Sequence, residues 1–126
     1  MKTGSIEING TTYTLALTKS AFDALSAMTG GAENFASLFS AKNIEESYTE
    51  TLKMLSALLD GGRKYAALVF EREEKKLTLE DLEVILSPGD CMNYRLKAVE
   101  TIALGLQREV EVETERKNAD TMQMNP

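Results

Sequence analysis

The sequence has 126 residues, with 20 acidic and 14 basic residues, a net charge of −6, no histidine and one cysteine. The length fits one domain, and the acidic balance argues against binding to a nucleic-acid backbone or to an anionic membrane surface. The absence of histidine excludes zinc and haem sites built on histidine and catalysis by a histidine base, and a single cysteine excludes an internal disulfide.

The first predicted element is a β-hairpin. Asn9-Gly10 separates two β-prone runs, residues 5–8 and 11–17, and this dipeptide accepts the positive φ angles that a tight hairpin turn requires. Each run alternates apolar and polar residues, so each predicted strand has one apolar face. An isolated hairpin is only marginally stable in water. We therefore expect this face to pack on helices or on a strand of another chain.

A first helix and a shorter helical piece are expected next. Thr18 or Ser20 can cap the first helix, and Ser20 with Asp23 resembles a capping box. Gly30-Gly31 can end this helix, since glycine accepts the left-handed geometry of a helix C-terminus. The apolar residues of the shorter piece are Phe35, Leu38 and Phe39.

A second long helical stretch begins near Ile44 and meets Gly61-Gly62. Two adjacent glycines inside a helix cost roughly 2 kcal/mol relative to alanine. The pair therefore indicates either a break or kink, which we favour, or a close backbone contact. Residues 71–76 are a charge run that we expect to be a solvated helix end. The apolar stripe before the glycines consists of Tyr48, Leu52, Leu55 and Leu59, and Ala66 and Val69 continue it after them.

Two helices are predicted in the rest of the chain. Thr78 with Asp81 caps a short helix, and Ser87-Pro88 with Asp90 begins the last one. Nothing stops the last helix before the charged tail, so it could run about 25 residues, roughly 37 Å. It would then cross the whole domain, and the other elements would pack against it. Its apolar stripe has steps of four and three residues and consists of Met92, Leu96, Val99, Ala103, Leu106 and Val110.

The stripe of the last helix has two interpretations, either core alone or core shared with a partner. Ile102 and Leu104 widen the stripe, which leaves a flank for an interface. A predicted free hairpin edge also invites self-association. The candidate face for a partner or a second copy consists of Leu96, Val99, Ile102, Ala103, Leu106 and Val110.

The predicted fold class is mainly α, with an N-terminal β-hairpin followed by a bundle of about four to five helices. Residues 1–116 form one domain, and residues 117–126 are expected to be a disordered tail because they have no periodicity. The sequence has no apolar run long enough to span a membrane and no signal-peptide pattern, so a cytoplasmic protein is expected.

No residue pattern predicts catalysis, a cofactor or a metal. Cys91 lies near a helix N-terminus, but no histidine can serve as its base and Asp90 would raise its pKa, so a structural thiol is expected. No glycine-rich phosphate loop occurs. Two clusters of acidic residues do not predict a divalent metal site, because the carboxylates of each cluster would not all meet at one point if it lay on a helix. The first cluster is Glu71, Glu73 and Glu74, and the second is Glu80, Asp81 and Glu83.

The order of elements resembles that of the tail assembly chaperones of long-tailed bacteriophages and prophages. The resemblance starts with the segment Ile6-Glu7-Ile8-Asn9-Gly10-Thr11-Thr12-Tyr13-Thr14-Leu15. It continues with Thr18, a helix with Phe22 and Leu25, and a short helix over residues 78–86 before a last long helix. In all it covers roughly residues 5–106.

The resemblance implies a non-catalytic protein of the host cytoplasm, absent from the finished virion. Such chaperones bind the long tape measure protein, keep it soluble and bring tail tube subunits to it. The family often has a longer form made by ribosomal frameshifting, with which a loose tail at residues 117–126 is compatible. The alternative functions are a small acidic helical adaptor of a bacterial complex, which would bind through residues 111–126, and, ranked last, an enzyme that uses carboxylates and Cys91.

Overall fold

A two-stranded antiparallel hairpin followed by helices forms the part of the chain that the structure, a computed structural model, describes: residues 1–40 and 42–107. This order confirms the predicted mainly α fold class. The predicted tail at residues 117–126 lies outside the described residues. The elements are β1 (Gly4–Ile8), β2 (Thr11–Leu15), α1 (Lys19–Thr29), a 3-10 helix (Ala32–Phe39), α2 (Ile44–Val69), α3 (Leu79–Ile85) and α4 (Pro88–Gly105).

The hairpin turns at Asn9-Gly10, as predicted. Both residues have positive φ angles, 50° and 82°, and the register pairs Ile8 with Thr11 next to the turn. The apolar face of the hairpin lies in the core of the same chain. Its buried residues are Ile6, Ile8, Tyr13 and Leu15.

Two side chains from later in the chain form hydrogen bonds with backbone groups on the two strands of the hairpin. The Glu74 carboxylate accepts hydrogen bonds from the Thr14 N–H (2.9 Å) and hydroxyl (2.6 Å). The Tyr94 hydroxyl donates to the Glu7 carbonyl oxygen at 2.6 Å. Backbone groups that are already bonded in this way are less available to a strand of another chain. The Glu74 side chain is only 5% exposed, so the prediction that residues 71–76 are simply a solvated end is wrong at this residue.

Local capping residues begin and end the helices. Thr18 caps α1 by accepting from the Ala21 N–H, and Gly30 ends it with a φ of 83°. Ser20 lies inside α1, so the alternative Ser20 cap is wrong. Thr78 and Ser87 cap α3 and α4, as predicted, and both caps are capping boxes, completed by the Asp81 and Asp90 carboxylates.

The longest element is α2, with 26 residues, rather than the last helix. α4 has 18 residues and ends at Gly105. Its last residue, glycine, is a weak helix former. A Cβ added to Gly105 would lie 2.5 Å from the Cβ of Leu17, so this end of the helix lies very close to the chain after β2. The expected 25-residue helix across the domain is therefore wrong, and α2 is the element that reaches the hairpin, α1, α3 and α4.

Gly61-Gly62 lies in an unbroken part of α2, so the favoured prediction of a helix break is wrong and its alternative, a close backbone contact, is right. A Cβ at Gly62 would overlap the Thr14 carbonyl group, and a Cβ at Gly61 would overlap the Ala16 carbonyl oxygen. The Ala16 N–H also donates to the Leu58 carbonyl oxygen at 3.1 Å. The two glycines therefore let β2 and its continuation lie directly on the helix backbone.

Replacing Glu71 by glycine is expected to stabilise the fold by about 0.5–1 kcal/mol. Glu71 follows the C-cap of α2 with a φ of 52°, and the next N–H, that of Arg72, donates back to the Ala66 carbonyl oxygen. A left-handed residue with a side chain is strained, whereas glycine is not. Urea denaturation would measure the change. Glu73→Gly is the control, because its φ is not positive, and it should be neutral or destabilising. Equal effects of both variants would contradict the interpretation.

Candidate functional site

The outward face of α4 carries a row of exposed apolar side chains. Leu96 is 64% exposed and Leu106 48% exposed, Met92 is also exposed, Ala103 is exposed and Val99 is half-buried. These five residues are the described members of the predicted stripe. The prediction that this stripe forms the core is therefore wrong, whereas its use as a partner face stays a prediction.

The buried side of α4 consists of smaller and partly polar residues: Cys91, Ala98, Thr101 and Ile102. At about 100° per residue, this side is centred roughly a third of a turn away from the apolar stripe. Small residues are required on the buried side because α4 packs very close to β1. A Cβ at Gly4 would overlap the Thr101 hydroxyl, so β1 and α4 are too close for large side chains between them.

The structure divides the six predicted face residues into three groups. Leu96, Ala103 and Leu106 are exposed and Val99 is half-buried, so these four share one accessible side of the helix. Ile102 is fully buried, so its assignment to the partner face is wrong and it belongs to the core. Val110 lies outside the described residues.

Polar contacts of Arg95 fix α4 to the rest of the fold. Its guanidinium donates to the Thr51 hydroxyl (3.1 Å), the Leu38 carbonyl oxygen (2.8 Å) and the Glu50 carboxylate (2.6 Å). Lys42 also pairs with Glu50 at 3.2 Å. These side chains are mostly buried and bonded to one another, so they hold α4 and its exposed face in position.

A second exposed apolar group lies at the C-terminus of α2 and was not predicted as a surface. Leu68, Val69 and Phe70 are all exposed, so the prediction that Val69 continues the buried stripe of α2 is wrong. The Phe70 ring packs edge-on against Tyr65, with 5.5 Å between the ring centroids, and the Arg72 guanidinium lies 5.4 Å from the Phe70 centroid. The signal available in the sequence was three consecutive bulky apolar residues, since one face of a helix cannot bury all of them.

Cys91 is a buried structural thiol. Burial, with a smaller contribution from the neighbouring charge of Asp90, raises the pKa of the Cys91 thiol to about 11. A thiol that stays protonated and inaccessible is a poor nucleophile.

The acidic residues that could suggest a metal site serve structural roles or lie apart. Glu74 is bonded to Thr14 and Arg72, and Asp81 completes the capping box of α3. The backbone and side chain of Thr78 lower the pKa of Asp81 by hydrogen bonding. Within residues 1–40 and 42–107, no group of three or more cysteine, aspartate or glutamate residues is arranged to hold a metal ion.

No family model, no curated protein and no solved structure matches this chain. Among the residues that the structure describes, no helix is both long enough and apolar enough to cross a membrane.

Proposed function

We propose that this chain is a tail assembly chaperone of a long-tailed bacteriophage or prophage, a binding protein without catalysis. In this role it binds the tape measure protein in the host cytoplasm and recruits tail tube subunits. It leaves before the tail is complete. The proposal rests on the resemblance in element order, and the observation that supports it best is the exposed apolar face of α4.

The α4 face suits a helix-rich client. Met92, Leu96, Val99, Ala103 and Leu106 recur at helical spacing along about four turns, and they lie on one accessible side. An amphipathic client helix that packs on such a row buries its own apolar stripe. Each leucine covered in this way contributes about 1.5–3 kcal/mol. The client would then not expose that stripe to other copies of itself.

Co-expression with the tape measure protein encoded nearest downstream tests this function. The wild-type chain is expected to co-purify with that protein and to keep it in solution, as measured by light scattering. A Leu96→Ser/Leu106→Ser variant is expected to reduce the co-purified amount at least about tenfold, because each lost leucine contact is worth about a factor of ten.

The matched control is Val84→Ser on α3, which removes a similarly exposed apolar side chain away from α4. It should leave co-purification unchanged, and circular dichroism should show that all three proteins fold alike. If the tape measure protein precipitates while the wild-type chain stays free, the chaperone proposal fails and the acidic adaptor becomes the better hypothesis.

A further inference from the structure

A groove with a volume of about 600 Å³ lies between α1, α2 and the segment that leads into α3. It shares no residue with the α4 face. The apolar residues that line it are Ala24, Ala27, Met28, Ala57, Leu77 and Leu79. We refer to it as the α1–α2 groove.

The shape of the α1–α2 groove suits a helix better than a small molecule. Ala24 and Ala27 are exposed on the α1 side, and Ala57 is half-buried on α2. Alanines allow another helix to approach closely, since helix axes at a contact lie about 8–10 Å apart. The groove is open to solvent along this side, so a small ligand would stay largely uncovered, whereas binding pockets bury most of their ligand.

Two lysines without partners border the α1–α2 groove. Most basic side chains in the described ranges make a hydrogen bond or an ion pair. In those ranges Lys53 and Lys76, which line this groove, make no hydrogen bond and no ion pair. Lys75 makes none either, but it lines a different groove beside Asp81. In a chain with a net charge of −6, positive charge is thus left unpaired beside an apolar surface.

The one carboxylate that lines the α1–α2 groove does not cancel this charge. Asp60 is paired with Arg63 at 3.0 Å and with Lys64 at 3.1 Å. Burial opposes its ionisation, but the hydrogen bonds from Lys64 and Arg63 outweigh burial and lower its pKa. Among the side chains that line the groove, the charges without a partner are therefore those of Lys53 and Lys76.

We propose that the α1–α2 groove binds an amphipathic helix of a partner protein whose apolar stripe is flanked by glutamate or aspartate. The apolar stripe would cover the alanines and leucines, and the carboxylates would reach Lys53 and Lys76. This site goes beyond the proposed function, since it lies on other elements than α4 and accepts a helix with a defined charge pattern.

Binding of synthetic helical peptides tests the proposal. A set of fluorescein-labelled peptides would carry leucine at positions i, i+3, i+4 and i+7, in several spacings, with glutamate at the flanking positions. A matched set would carry lysine there instead. Fluorescence anisotropy with the full chain is expected to show at least about tenfold tighter binding of the best glutamate peptide than of its lysine counterpart, because two attractive pairs become repulsive.

Charge reversal in the protein supplies the decisive comparison. Lys53→Glu/Lys76→Glu is expected to weaken binding of the glutamate peptide at least about tenfold and to strengthen binding of the lysine peptide. The control Lys19→Glu/Lys97→Glu has the same net charge, but its two exposed lysines lie outside the groove, and it should change either affinity less than about threefold. Amide chemical shifts of Ala24, Ala27 and Ala57 should move on binding.

Three results would overturn the proposal. The first is that no peptide distinguishes the groove variant from the control. The second is that the chemical shifts move on α4 instead. The third is that no peptide binds while light scattering shows a wild-type dimer that the groove variant loses, in which case the occupant is a second copy of this chain.

Discussion

A Gly62→Ala variant is expected to lose about 3 kcal/mol of unfolding free energy, although alanine is the better helix former. The added Cβ would overlap the carbonyl oxygen and carbon of Thr14 and lie 2.9 Å from the Leu15 nitrogen. All three atoms belong to the backbone of β2, which is paired with β1 and cannot yield as a flexible side chain can. Overpacking typically costs about 1–3 kcal/mol and occasionally more. Because the overlap here is with paired backbone, we expect a cost of about 4 kcal/mol, which leaves a net loss of about 3 kcal/mol after the gain of about 1 kcal/mol from helix propensity.

Gly89→Ala is the matched control for Gly62→Ala. Gly89 also lies in a helix, in the first turn of α4, but a Cβ there would meet only the Ser87 hydroxyl oxygen at 3.8 Å. This variant is expected to be neutral or more stable by up to about 1 kcal/mol. Urea denaturation followed by far-UV circular dichroism would compare the two. Changes of the same sign and size in both would mean that β2 does not lie on α2 as described.

The elements set by local chemistry could be predicted from the sequence. Asn9-Gly10 defines the hairpin turn because both residues accept positive φ, and Thr78 and Ser87 begin helices because each side chain bonds a backbone N–H three residues later. These signals depend on neighbours in the chain. Gly61-Gly62 shows the limit of such signals, because a pair of glycines is compatible both with a helix break and with a close backbone contact inside an unbroken helix. Only the position of Thr14 decides between them.

The candidate face could be predicted only in part. The spacing of the apolar residues along α4 could be seen in the sequence. Which side of the helix meets the core depends instead on β1, about 90 residues earlier in the chain. There the backbone at Gly4 approaches Thr101, so the small residues point inward and Leu96 and Leu106 point outward. Hydrophobic periodicity alone assigns the apolar side to the core. An exposed apolar side is expected where a partner supplies the rest of the contact.

Glu74 lay beyond sequence prediction for the same reason, and its removal is expected to be the second most damaging change. Thr14, which donates to the Glu74 carboxylate from both N–H and hydroxyl, lies 60 residues earlier. Nothing in the charge run of residues 71–76 distinguishes Glu74 from Glu73. Yet only Glu74 is held at the hairpin, where its carboxylate also accepts from Arg72 at 3.0 Å.

We expect Glu74→Ala to reduce the unfolding free energy by about 2 kcal/mol. The variant leaves the Thr14 N–H without its acceptor, and an unsatisfied buried donor costs about 1–3 kcal/mol. Arg72 is 55% exposed, so its guanidinium can return to water at little cost. Glu74→Gln keeps an acceptor oxygen and should lose about half as much, whereas Glu73→Ala should stay within about 0.5 kcal/mol of wild type. Equal unfolding midpoints for Glu74→Ala and Glu73→Ala would show that the carboxylate does not hold this edge of the hairpin.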